Sequence, residues 1–186
     1  MKTHRIVIGG MLVAMFAAVM PRSASAQTVE EFYKGKTLQI QVGFGVGGSY
    51  DTYARVLAEH ISRHIPGNPR TIVMNMEGAG SLRLANWLYN AAPKDGTVFG
   101  ITSRAAPFAS LIGTQGGTSF DPTKYNWIGS ANNEVSTCIS WHTAAVKTFD
   151  QLRNTELIIG GDGPSADGEQ FARVMNALFD TRIKIV

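Results

Sequence analysis

Three groups of residues have the types and spacing for chemistry. Cys138 and His142 could act as nucleophile and base. His60 and His64, four apart on one helical face, could chelate a metal. Gly43-Phe44-Gly45-Val46-Gly47-Gly48 could cradle an anion on bare backbone N–H groups. The first two weaken at once. If residues 137–141 form a strand, Cys138 and His142 share a face but stand about 13 Å apart, beyond the hydrogen-bond reach that activation needs. The H-E-x-x-H metal pattern wants a glutamate after its first histidine. Here Glu59 precedes His60, and no third ligand is evident. The expectation is therefore no catalytic pair, no metal and no cofactor.

The glycine loop fits G-x-G-x-x-G, the dinucleotide fingerprint, which also wants an acid about 20 residues further on. The nearest candidate, Glu77, comes noticeably later, and Asp51 puts a negative charge where a pyrophosphate would sit. A dinucleotide site, a small-anion loop and a structural turn all remain open. Arg104 is the other group with an obvious use, since a guanidinium can hold a substrate carboxylate through two hydrogen bonds.

The elements that position these residues are legible in outline. Leu38, Ile40 and Val42 alternate with polar residues, the period of a strand. Ser49 or Asp51 is expected to cap the helix after the loop, with Tyr53, Val56, Leu57 and Ile61 on its apolar face. Pro66-Gly67 ends it. Residues 70–76 read as a strand covered on both faces. Residues 77–81 are a second glycine turn into a helix whose stripe is Leu84, Ala85, Leu88 and Tyr89. Residues 97–102 form a third strand, with Ser103 and Arg104 at its carboxyl end. Strand, helix, strand, helix, strand predicts a parallel sheet with crossover helices. Such sheets bind ligands beyond the carboxyl ends of their strands, where all three loops converge.

Beyond residue 110 the pattern changes. Residues 113–122 are a Gly/Thr/Ser-rich crossing. Short strands are expected over 125–130 and 137–141, and a short capped helix over 148–152. A buried-type strand at 156–160 leads through a glycine-rich loop to a helix with Phe171, Val174, Met175 and Leu178 inward. Residues 183–186 begin another strand. Trp87, Trp127 and Trp141 are expected in core or interlobe packing.

The first 26 residues read as a secretory signal peptide: Lys2 and Arg5, an apolar run from 6 to 20, then Ala24-Ser25-Ala26 before Gln27. The run is short for a permanent bilayer anchor. Lys2, Arg5 and Arg22 lie in these first 26 residues, so 14 of the 17 basic side chains remain against all 14 acidic ones. That balance argues against a nucleic-acid surface, which needs a basic stripe. The single cysteine, Cys138, forbids an intrachain disulfide.

Gly47-Gly48-Ser49-x-Asp51, Ala54-Arg55, Asn75-x-x-Gly78-Ala79-Gly80 and Asp95-Gly96-Thr97 together resemble the substrate receptors of tripartite tricarboxylate transporters, the TctC-like or Bug family of periplasmic solute-binding proteins. Phe120-Asp121-Pro122, Trp127-Ile128-Gly129 and Phe149-Asp150-Gln151-Leu152 continue the resemblance in order. It implies an α/β, two-lobed, type II periplasmic binding fold with mainly parallel sheets flanked by helices. The divisions would be a signal peptide at 1–26, a first lobe at 27–122 and the start of a second, incomplete lobe at 123–186. It further implies a monomeric periplasmic receptor that is no enzyme, binding a small carboxylate and passing it to membrane transporter subunits. An exported α/β enzyme on the same loops is the alternative. Carried over residue by residue, the ligand contacts are Phe44, Gly47, Gly48, Ser49, Asp51, Gly80, Ser81, Ser103, Arg104, Gly163 and Ser165. The chain departs from the family in lacking a proline in the first loop and in carrying Met76-Glu77 before Gly78.

Overall fold

A computed structural model describes residues 26–109, 111, 117–133 and 135–186. The proposed leader therefore lies outside the described residues, apart from Ala26. Among the described residues no helix is long and apolar enough to cross a membrane.

The chain is α/β, with parallel sheets flanked by helices. A short helix α1 (Val29–Tyr33) is closed by a reciprocal capping box between Thr28 and Glu31. Tyr33 then donates its hydroxyl to the Gly96 carbonyl at 2.9 Å, fixing the entry of the chain. Strands β1 (Thr37–Val42), β2 (Arg70–Asn75) and β3 (Val98–Ile101) form a parallel sheet in the order β2-β1-β3. Ile40 stands opposite Val73 on one side and Phe99 on the other, so the central strand carries the core.

Helix α2 (Ser49–Ile61) lies on the face of Ile40 and Val42. Helix α3 (Leu82–Asn90) sets Leu88 against Gly100, where a Cβ would collide with it, on the opposite face. Helices on both faces and a reversal of direction at β1 make its carboxyl end the switch point of the sheet, the place where ligands bind in such folds.

The second unit repeats the device. Strand β4 (Leu157–Ile159) pairs in parallel with β5 (Ile183–Ile185). Helix α4 (Asp167–Phe179) crosses between them. Val146, Leu152, Ala172 and Ile183 form its core, with Leu157, Ile159, Met175 and Ile185 packed around them.

Several expectations are corrected. Residues 125–130 and 137–141 form no strands. Ile128 and Ile139 point into solvent, and no sheet among the described residues offers these segments a partner. The short helix expected over 148–152 is a 3₁₀ helix over Asp150–Arg153, without a side-chain cap from its N-cap Phe149, and the Gln151 side chain accepts the Lys147 and Thr148 N–H groups ahead of it. Strand β2 is an edge strand, and Met74 is exposed on it. Ile158 is likewise exposed, so β4 is not the buried strand expected.

Both long helices are rotated from their expected faces. In α2 the buried stripe runs through Tyr50, Ala54, Leu57 and Ala58, while Tyr53 and Val56 face outward. In α4, Ala172 and Met175 face the core, and Phe171, Val174 and Leu178 do not. In each case a fully buried alanine sits at the contact, because a small side chain lets helix and sheet approach closely. Trp127 and Trp141 are exposed and Trp87 is half-buried, so none is a core residue.

Candidate functional site

The loop after β1, the loop after β2, and the loop between β4 and α4 surround one cleft of about 710 Å³. Each follows the carboxyl end of a parallel strand. Four of the residues proposed from sequence line it: Phe44, Gly48, Ser49 and Gly80. So do Tyr50, Asp162 and Asp167, which were not among the residues weighed from sequence, and Glu77, which was weighed only as the acid of a dinucleotide site and as a departure from the family. Phe44 and Tyr50 stack with ring centroids 4.4 Å apart and planes 11° apart, making a flat apolar wall.

Two 13-residue helices present their N-termini here. Gly48 is the N-cap of α2, and neither Ser49 nor Asp51 caps it in the usual way. Asp51 instead reaches back from the first turn to accept the Gly47 N–H at 2.8 Å. Ala166 is the N-cap of α4, again without a side-chain hydrogen bond. Both ends thus leave backbone donors and positive dipole toward the cleft. Against them stand the carboxylates of Glu77, Asp162 and Asp167, and no described lining residue is basic.

The other seven proposed residues do not line the cleft. Asp51 is buried and accepts Arg55 Nε and Nη2 at 2.8 and 3.0 Å and Asn75 Nδ2 at 2.9 Å, besides Gly47. The Arg55 guanidinium first, then the Gly47 N–H and the Asn75 amide, hold its carboxyl far below the usual range. It braces the loop rather than facing the cavity. Ser81 is fully buried in a left-handed conformation, φ 74°, and its hydroxyl accepts the Ser103 N–H at 2.7 Å. That bond offsets part of the cost of such a conformation for a residue with a side chain.

Gly80 and Gly163 meet back to back. Their φ values are 62° and 123°, and a Cβ on either would strike the other's loop. Gly80 N–H donates to the Asp162 carbonyl at 3.1 Å. The buried Ser165 hydroxyl lies 2.7 Å from the carbonyl oxygens of both Ala79 and Gly80 and shares its one proton between them. This seam joins the three-stranded unit to the two-stranded one. Gly163 N–H donates to Glu169 Oε1 at 2.8 Å, which fixes the loop on the other side.

Ser103 and Arg104 engage Asp167. The Ser103 hydroxyl donates to Oδ1 at 2.6 Å, Arg104 Nε donates to Oδ2 at 2.6 Å, and the Tyr50 hydroxyl donates to Oδ2 at 3.1 Å. Burial, and then the negative charge of Asp167, push the Tyr50 phenol above its ordinary pKa, so it stays a donor. Asp167, where these donors meet, is among the residues that sequence reasoning missed. Its signal was an acid opening a helix directly after a glycine loop, where a helix dipole favours it.

Cys138 and His142 are both exposed. Among the described residues no group of three or more His, Cys, Asp or Glu could hold a metal ion. No protein-family model matches the chain, and no curated protein matches its sequence.

Proposed function

We propose that this chain is an exported solute-binding receptor of the type II periplasmic kind. It holds a small carboxylate in the cleft between two lobes and delivers it to membrane transporter subunits of the tripartite tricarboxylate type. The signal-like leader and the family resemblance support export and transport. The observation that carries the reading is the pair of helix N-termini, at Gly48 and Ala166, opening on one cleft without side-chain caps. Uncapped N–H groups facing a cleft suit an anion. The stacked Phe44 and Tyr50 rings suit the carbon skeleton behind it.

Titration calorimetry with C4–C6 carboxylates, with product analysis on the same samples, tests this. Saturable heat without chemical change is the expected result; conversion of any bound acid would replace the receptor with an enzyme. Gly48→Val is the companion variant. Gly48 has φ −72°, and the nearest atom to a Cβ there is the Gly45 carbonyl oxygen at 3.6 Å. The variant is therefore expected to fold normally but to lose binding, because the new side chain blocks approach to the N–H groups. A folded Gly48→Val protein with wild-type affinity would make the loop a turn only.

A further inference from the structure

One carboxylate in this cleft already has the partners that a bound acid would seek. Ser103 Oγ and Arg104 Nε, from the loop after β3, and the Tyr50 hydroxyl, from α2, all point at Asp167. A guanidinium, an alkyl hydroxyl and a phenol arranged around both oxygens of one carboxylate is a donor set complementary to that group. The donors belong to the three-stranded unit and the acceptor to the two-stranded one, 63 or more residues away. Asp167 lines the cleft, while Ser103 and Arg104 do not. Its side chain, 15% exposed, therefore touches both the cavity and those two donors.

We propose that Asp167 is a specificity-determining residue: a tethered carboxylate that fills a second anion subsite and restricts the bound solute to a single carboxylate. This rests on the cleft being the ligand site proposed above. The tether gives Asp167 an effective concentration in the millimolar range or above, which a free second carboxylate must outcompete. Such an acid would also bring its charge beside Asp167 and toward Glu77 and Asp162 on the same wall. A monocarboxylate has no second charge to place there: its one carboxylate takes the N-terminus of α2 at Gly48 and its tail the aromatic pair.

Removing the Asp167 carboxyl should leave a vacancy that a free carboxylate can fill. The full chain carrying Asp167→Ala is melted in rising sodium acetate, with sodium chloride at equal ionic strength as the control. Acetate is expected to raise Tm by about 2–4 °C in the variant, not in wild type, and not in Asp167→Ala/Arg104→Gln. Asp167→Ser replaces the alanine variant if that one does not fold. A variant that acetate stabilises no more than chloride overturns the subsite.

Calorimetry with butyrate and succinate, equal in chain length, then tests specificity. Wild type is expected to prefer butyrate, and the preference should shift toward succinate by about tenfold or more in the variant. Wild type binding succinate as tightly as butyrate overturns the proposal. Wild type binding neither acid, with acetate still stabilising the variant, defeats the receptor reading while leaving the anion subsite in place.

Discussion

Asp51 shows how a residue's chemistry depends on what surrounds it. From sequence it is a helix cap or a ligand contact; in the fold it is a buried carboxylate enclosed by Arg55, Gly47 and Asn75. The i,i+4 spacing to Arg55 was legible, because such residues are neighbours on a helix. The inward turn was not, since it depends on Asn75 arriving from β2. The consequence is pH dependence with a definite sign. The folded-state pKa is depressed, so the stabilisation is complete above the ordinary carboxylate pKa and is lost as pH falls toward the folded value. Asp51→Asn is expected to be less stable than wild type at neutral pH. The gap should narrow below about pH 4, as urea midpoints across pH will show. A gap that stays constant into acid would mean the carboxyl contributes by shape, not by charge.

Helices and strands divide by how much they depend on partners. The β1-loop-α2 unit was readable because alternation, glycines and helical periodicity agree over consecutive residues. Residues 125–130 and 137–141 have apolar residues at strand-like spacing, but pairing needs a neighbour, and none adjoins them among the described residues. Helix orientation failed for a related reason. Phe171 and Leu178 outrank Ala172 in hydrophobicity, yet Ala172 is the residue that fits against β4 and β5. Asn176, unremarked in sequence, fastens α4 to its sheet. It donates to the Ile183 carbonyl at 2.7 Å and accepts the Ile183 N–H at 3.0 Å and the Thr181 hydroxyl at 2.7 Å. Asn176→Ala removes all three bonds and is expected to cost about 1–3 kcal/mol, read as a lowered urea midpoint. An unchanged midpoint would show that β5 holds its register without it.

At the scale of the molecule, the meeting of the loops after β1 and β2 at one cleft was foreseeable from parallel topology, but the loop after β3, expected there too, does not line it, and the loop between β4 and α4 takes that place. Which residues face the cavity and which do not was not foreseeable. Ser81, Ser103 and Ser165 sit among small residues like any loop serine, but all three are buried at or near the seam between the two sheets. That seam sets a timetable for folding. The Ser165 hydroxyl meets carbonyls 85 and 86 residues earlier in the chain, whereas β1 finds β2 after a single helix. Contacts that close so long a loop return nothing until both ends are already ordered. The seam is therefore expected to form after the rate-limiting step and to break early in unfolding. Ser165→Ala, at a cost of about 1–2 kcal/mol, should leave the refolding rate nearly unchanged and speed unfolding by roughly 5–30-fold. Stopped-flow chevrons measure both limbs, and slowed refolding in this variant would place the meeting of the two sheets at the start of folding.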